Sequence, residues 1–398
     1  MVGQRPPMGW NSWNTFGVDI NENLIFEMAD TLVRDGYLDR GYEYLVIDDC
    51  WALKNRDEGG NLVPDPEKFP HGIKYVADYV HSKGLKLGIY SCAGTLTCGG
   101  YPSSYDHEYR DAKLFASWEI DFLKYDFCNF PENADCKNRY LTMSMALKAS
   151  GREILFSACN WGMEESWNWM RSVGAHMYRS TGDIFDNYQS FIRIFKSQLD
   201  HLSQSGPYCF NDLDMLTVGM YNQGNVAIGR PCTDNEYRMQ FSLWCLAGTP
   251  LMLGADLRSI NPAMKALLQN EDLIAIDQDE ECRPPYQVSC RFADVPVPEE
   301  EREDAVEPLR KIEGQLLTFL KILSSNEFVL AYYNLCEIQQ EMLCTFADVG
   351  IPYHTGMGLY MKDVLTGEDL GVVRDYHRVT VPGHDCRLYR CRMVNVNG

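Results

Sequence analysis

Short apolar segments recur along the first two thirds of the chain, separated by stretches whose apolar residues fall three and four apart. Tyr44–Asp49, Leu85–Tyr90, Ile120–Asp126, Ile154–Ala158, His176–Ser180 and Leu246–Leu253 read as strands. Between them, Ile25–Val33 and Tyr75–His81 repeat apolar residues at helical spacing. The alternation predicts βα units and a parallel sheet. An open, doubly wound sheet accommodates the same order. However, polar or aromatic residues finish nearly every strand candidate: Trp13, Asp48 and Asp49, Tyr90, Asp126 and Arg179. A (β/α)8 TIM barrel delivers every strand's C-terminal end to one face, where such residues converge into a site. An α/β fold with a barrel over residues 1–285 is therefore expected.

After about residue 285 the pattern changes. Pro284-Pro285 and the acidic run Pro298–Asp304 interrupt the chain, and then come strand-like pieces at Leu316–Lys321, Glu327–Tyr333, Glu341–Phe346, Arg378–Val381 and Cys386–Arg390. Turn residues separate them, which predicts an antiparallel β-sandwich over residues 286–398. The acidic run reads as a solvated loop. The chain contains no internal repeat and no low-complexity tract.

Composition narrows the partners. With 36 Lys+Arg against 56 Asp+Glu, the formal charge is -20 over 398 residues. That field disfavours nucleic acid and anionic membrane surfaces and suits a neutral or cationic ligand. The first residues, Met1–Met8, have no apolar stretch of the signal-peptide kind, and no apolar run approaches the roughly 18 residues that span a bilayer. A cytoplasmic location is the expectation. The 15 cysteines are an odd number scattered over a long chain, so at least one thiol stays unpaired within a monomer.

The candidate chemistry is carboxylate chemistry. His-Glu-x-x-His, paired Cys-x-x-Cys motifs, Gly-rich phosphate loops and the Gly-x-Ser-x-Gly elbow are all missing, so neither a metal nor a nucleotide cofactor is expected. What remains is a set of acidic stations at strand ends, framed by aromatics: Asp48-Asp49, Asp126, Asp183 and Asp212–Asp214. One such aspartate alone is more often a cap or a turn residue. Two carboxylates facing one bond are the machinery of glycoside hydrolysis, and aromatic rings supply the apolar platform a sugar needs.

The blocks Met8–Asn14 (MGWNSWN), Tyr44–Trp51 (YLVIDDCW), Phe69–Ile73, Ser82–Tyr90, Leu123–Asp126 (LKYD), Arg179–Asp183 (RSTGD) and Asn211–Met215 (NDLDM) resemble the signature of glycoside hydrolase family 27, the α-galactosidases and α-N-acetylgalactosaminidases, in order and spacing over residues 5–280. The resemblance implies a barrel followed by a β-sandwich, a retaining exo-glycosidase, and no cofactor. It implies Asp126 as nucleophile and Asp183 as acid/base. Asp48 and Asp49 would meet the galactose 4- and 6-hydroxyls, Trp13 would pack on the ring, Tyr90 would lie near the reacting centre, and Lys124, Arg179 and Asp214 would line the site. Cys98 and Cys128 match a family disulfide, which a cytoplasmic chain ordinarily holds reduced. Trp10 and Trp51 are read as core residues, and Asp186 and Asp212 as caps or supports. Chemically, the nucleophile must be ionised, with Lys124 and Arg179 favouring that state, and the acid must hold a proton, so its environment should raise its pKa.

One block departs from the pattern. Cys159-Asn160-Trp161-Gly162 carries asparagine where α-galactosidases of the family commonly have glutamate, at a position expected to meet the substituent on sugar carbon 2. Asn160 both donates and accepts and carries no charge, which suits a 2-hydroxyl. α-Galactosidase therefore ranks ahead of α-N-acetylgalactosaminidase and β-L-arabinopyranosidase. A non-catalytic galactose-binding protein is the alternative from another class. The expected partner is an α-galactoside oligosaccharide or glycoconjugate, with homo-oligomerisation left open.

Overall fold

The structure is a computed structural model that describes residues 2–296, 309–324 and 326–396. The acidic run at 298–304 lies outside the described residues. Two compact units emerge, Met1–Cys232 with Gly248–Gln269, and Thr233–Ala247 with Asn270–Gly398. The packing therefore divides the chain by two excursions, where the sequence suggested a single cut at 285.

The first unit holds eight parallel strands: β1 (Met8–Asn11), β2 (Tyr44–Val46), β3 (Lys86–Cys92), β4 (Phe122–Asp126), β5 (Leu155–Cys159), β6 (Met177–Arg179), β7 (Phe210–Asp212) and β8 (Leu251–Leu253). Their order is β7-β6-β5-β4-β3-β2-β1-β8, and a parallel bridge between Leu216 and Leu253 joins the two ends. Both faces of these strands are buried, β1, β2, β5, β6, β7 and β8 at every position. That is why β2, β3, β4, β5 and β8 fall in largely apolar runs instead of alternating ones, whereas β1 (MGWN) and β7 (FND) give no such signal. The helix Glu22–Arg34 begins at Asn21, whose side chain accepts the Leu24 N–H, and it buries Leu24, Ile25, Met28, Ala29 and Leu32 on one stripe.

One expected strand was too long. Leu246 and Ala247 end the helix Asp234–Ala247, and only Leu251–Leu253 is extended. Gly248, at φ 69°, and Pro250 separate the two states, and an apolar run alone cannot tell a buried helix end from a buried strand.

In the second unit all strand pairs are antiparallel. A six-stranded sheet runs β14-β13-β16-β11-β10-β9, with β9 (Tyr286–Pro296), β10 (Leu309–Ile322), β11 (Phe328–Asn334), β13 (Met357–Asp363), β14 (Asp369–Val373) and β16 (Asp385–Asn395). β12 (Gln340–Thr345) and β15 (Tyr376–Val381) form a two-stranded ladder beside it. Leu330, Tyr332, Met342, Phe346, Leu359, Val381 and Tyr389 share one core between the two sheets, the layering of a sandwich. No helix among the described residues is long and apolar enough to cross a membrane.

Candidate active site

Parallel strands leave their C-terminal ends on one rim, and the alternation of side chains decides what faces inward there. On β4, Phe122, Lys124 and Asp126 share the inner face: Phe122 and Lys124 border a small internal cavity, and Asp126 stands one step higher, at the mouth. Ser157 and Cys159 from β5, and Met177 and Arg179 from β6, line that same small cavity. Above it opens a cavity of about 420 Å³. Trp13, Asp48, Asp49, Tyr90, Cys98, Lys124, Asp126, Cys128, Arg179, Asp183 and Asp214 all border it.

The acidic pair after β2 is held by fixed donors. Asp48 accepts Asn11 Nδ2 at 2.7 Å and Lys124 Nζ at 2.8 Å on one oxygen, and the Asp49 N–H at 2.9 Å on the other. Asp49 accepts the N–H groups of Cys50 and Gly99, both at 2.7 Å. Each carboxylate keeps lone pairs that a sugar hydroxyl can use. Burial pushes Asp49 above its usual value against those two backbone donors. Lys124 is also pushed down by burial, but Asp48 and Asp126 outweigh this and keep its ammonium charged.

Asp126 accepts the Tyr90 hydroxyl at 3.1 Å and the Phe127 N–H at 2.9 Å. Burial raises its pKa, and Lys124 and Arg179 oppose that without reversing it. The two expected cations are therefore present, but desolvation is the larger effect in the free protein. Asp183 departs further from expectation. Burial pushes it up, yet the adjacent Arg179 guanidinium wins and holds the carboxyl below its usual value. Its side chain remains 69% exposed, so solvent screens part of that attraction. Arg179 also pairs with Asp214 at 3.0 Å, and Asp214 is positioned by its own N–H on Asp212 at 2.9 Å. Asp212, buried beside Asp214, is raised to about 7, first by burial and then by that neighbouring charge.

Asn160 is the site residue the structure relocates. It is fully buried, donates to the Met163 carbonyl at 2.8 Å, and does not border the cavity. Trp161 lines it instead. Ser157 and Cys159 face inward, so continued alternation turns Asn160 away from the cavity and brings Trp161 to it. Trp10 and Trp51 are buried, their indole N–H groups on the Ala255 and Tyr90 carbonyls, and so belong to the core.

Sequence reasoning missed Asn14, Phe185, Asn225 and Val226, which also border the cavity. Asn14 was within reach: it closes the MGWNSWN block, and its Nδ2 is buried with no hydrogen-bond partner among the described residues, ready for a ligand oxygen. Asn225 and Val226 come from a loop with no local signal.

Cys98 and Cys128 are joined in a disulfide across the pocket rim, with Cα atoms 5.0 Å apart. Among the described residues, Cys98, Asp126 and Cys128 also form the one group of three whose ligand atoms cluster within 4.8 Å. The disulfide removes both thiolates, so this donor set does not fit a metal.

Comparison with known proteins shows the family and the fold. Residues 5–279 match the family model described as alpha galactosidase A, and residues 313–391 match the alpha galactosidase C-terminal beta sandwich domain. The chain is 40% identical over 391 residues to an alpha-galactosidase of Cyamopsis tetragonoloba, covering 98% of this chain and 86% of that protein. It is 50% identical over 279 residues to one of Coffea arabica, covering 70% and 71%. The solved structure of an α-galactosidase from Saccharomyces cerevisiae with raffinose superposes with a TM-score of 0.86 at 26% identity, covering 99% of this chain and 98% of that one.

Proposed function

The chain belongs to the α-galactosidase family of glycoside hydrolases, and from that membership we propose that it removes terminal α-D-galactosyl residues by double displacement with retention of anomeric configuration. The observation that carries the mechanism is a single cavity bordered by both Asp126 and Asp183, with Asp48, Asp49 and Lys124 grouped beside them. Asp126 attacks the anomeric carbon. Asp183 protonates the departing oxygen and then, as base, takes a proton from the water that cleaves the glycosyl-enzyme.

The free-state directions set the task of substrate binding. Asp183 must exchange its pairing with Arg179 for a proton, and a sugar that excludes water from the cavity strengthens the burial effect that already pushes it up. Arg179 retains Asp214 as partner when this happens. Galactose selectivity follows from Asp48 and Asp49, because a sugar that left a buried carboxylate without its hydroxyl would bind poorly. The bulk of Trp161 on the cavity wall after β5 supports a 2-hydroxyl over an acetamido group.

Hydrolysis of aryl α-galactoside, α-N-acetylgalactosaminide and β-L-arabinopyranoside, compared side by side, tests the substrate. Preference for either of the latter two overturns the galactoside reading. Proton NMR of the first anomer released tests retention, and initial β-galactose would exclude it. For the compartment, the disulfide supports an oxidising environment against the cytoplasmic expectation. Thiol labelling of Cys98 and Cys128 in protein quenched directly from its cells decides between them.

A further inference from the structure

The pocket wall continues beyond the catalytic cavity into aromatic surface. Trp161, 37% exposed, borders the cavity, and its ring meets Phe127 edge to face with centroids 5.8 Å apart. Phe127 stacks on Phe130 at 4.3 Å with the rings 20° from parallel. Phe127 directly follows Asp126 and donates its N–H to that carboxylate, so this surface starts beside the nucleophile. Neither phenylalanine takes part in the bond-breaking steps.

The loop that carries them is built to hold still. Cys128, between the two rings, is tied to Cys98. Asn129 sits in the left-handed region at φ 52°, donates to the Thr97 carbonyl at 3.0 Å, and accepts the Thr95 N–H at 3.1 Å. A Cβ on Gly94 would fall 1.9 Å from the Cys128 carbonyl, so that approach requires glycine. Half-exposed rings fixed in this way are preorganised, which reduces the ordering a ligand would otherwise have to impose.

We propose that Phe127 and Phe130, continuing from Trp161, form the leaving-group subsite, a shelf for the apolar face of the second sugar in a neutral α-galactosyl oligosaccharide. This rests on the galactoside reading: with the galactosyl ring in the cavity and its anomeric carbon at Asp126, the rest of the substrate must leave through the mouth, beside these rings. The formal charge of -20 selects against an anionic leaving group.

The test compares raffinose with α-galactosyl fluoride, whose leaving group is too small to reach the shelf. In Phe127→Ala and in Phe130→Ala, the ratio of kcat/KM for raffinose to kcat/KM for the fluoride is expected to fall about tenfold. Phe127→Trp should restore it. A ratio that stays at the wild-type value, whether or not both rates fall together, overturns the shelf. Should the wild-type enzyme leave α-galactosyl fluoride intact, the galactoside reading itself fails, and that failure is distinct from the shelf's.

Discussion

Two lysines, one in each compact unit, show what interior charge is for in this protein. Lys124 lies at the barrel rim with its side chain 14% exposed and its ammonium 2.8 Å from Asp48. Lys321 is fully buried in the second unit, where its ammonium donates to the Cys245 carbonyl at 3.3 Å. Burial pushes both down. At Lys124 the Asp48 and Asp126 charges reverse the effect, whereas at Lys321 burial prevails over Asp277 and the lysine shifts toward neutral. Asp277, also fully buried, is pushed up by the same desolvation, and one of its oxygens has no hydrogen-bond partner among the described residues. The rim thus keeps its charges by close pairing beside an opening, where a polar ligand can use them. In the second unit, burial instead shifts Lys321 and Asp277 each toward its uncharged form.

The largest effect that sharpens this contrast is Asp126→Asn, expected to lower kcat on an aryl α-galactoside by about 10⁴-fold or more while circular dichroism stays native. Wild-type-like turnover would remove Asp126 from the nucleophile role. Asp183→Asn should cost about 10²- to 10⁴-fold on raffinose and much less on an activated aryl galactoside, where protonation of the leaving group matters little. Equal losses on both substrates would contradict its acid/base role.

The lysines themselves come next. Lys124→Met is expected to reduce kcat/KM by about 10²- to 10³-fold, because it strips the charge paired with Asp48 and facing Asp126. Lys321→Met should leave kcat/KM at the wild-type level but lower stability by about 3 kcal/mol or more, since it removes the charge that faces buried Asp277 and the donor to the Cys245 carbonyl. Matching activity losses in the two variants would break the comparison.

The smallest effect is on stability alone. Asp212 has a folded pKa of about 7 against an ordinary 3.8, so between these values the folded state binds more protons than the unfolded one. Stability contributed by its protonated form is therefore present at about pH 4 and lost as the pH rises to about 7. Asp212→Asn should flatten this decline in a series of thermal melts, and its Oδ1 can still accept the Asp214 N–H. An unchanged slope would mean Asp212 is ionised throughout.

Much of the site was legible because its residues sit at the ends of strands whose apolar runs are local features. Asp48, Asp126 and Arg179 each follow such a run, and the barrel brings them to one rim by topology alone. Asn160 was misplaced because the apolar run before it does not announce which face of β5 points inward; once Ser157 and Cys159 do, alternation turns Asn160 away and Trp161 in. Asn225 and Val226 were missed because a loop's approach to a cavity leaves no periodic signature.

The sequence by itself determined the alternation of elements, the change to antiparallel strands after residue 285, and the carboxylates and aromatics at strand ends, all properties of neighbouring residues. Only the tertiary structure decided the charge state of those carboxylates. Lys124 reaches Asp48 across 76 residues of chain, and burial and Coulomb partners are supplied by different strands. That is why Asp126 is raised despite two nearby cations, and why Asp183 is held low by Arg179.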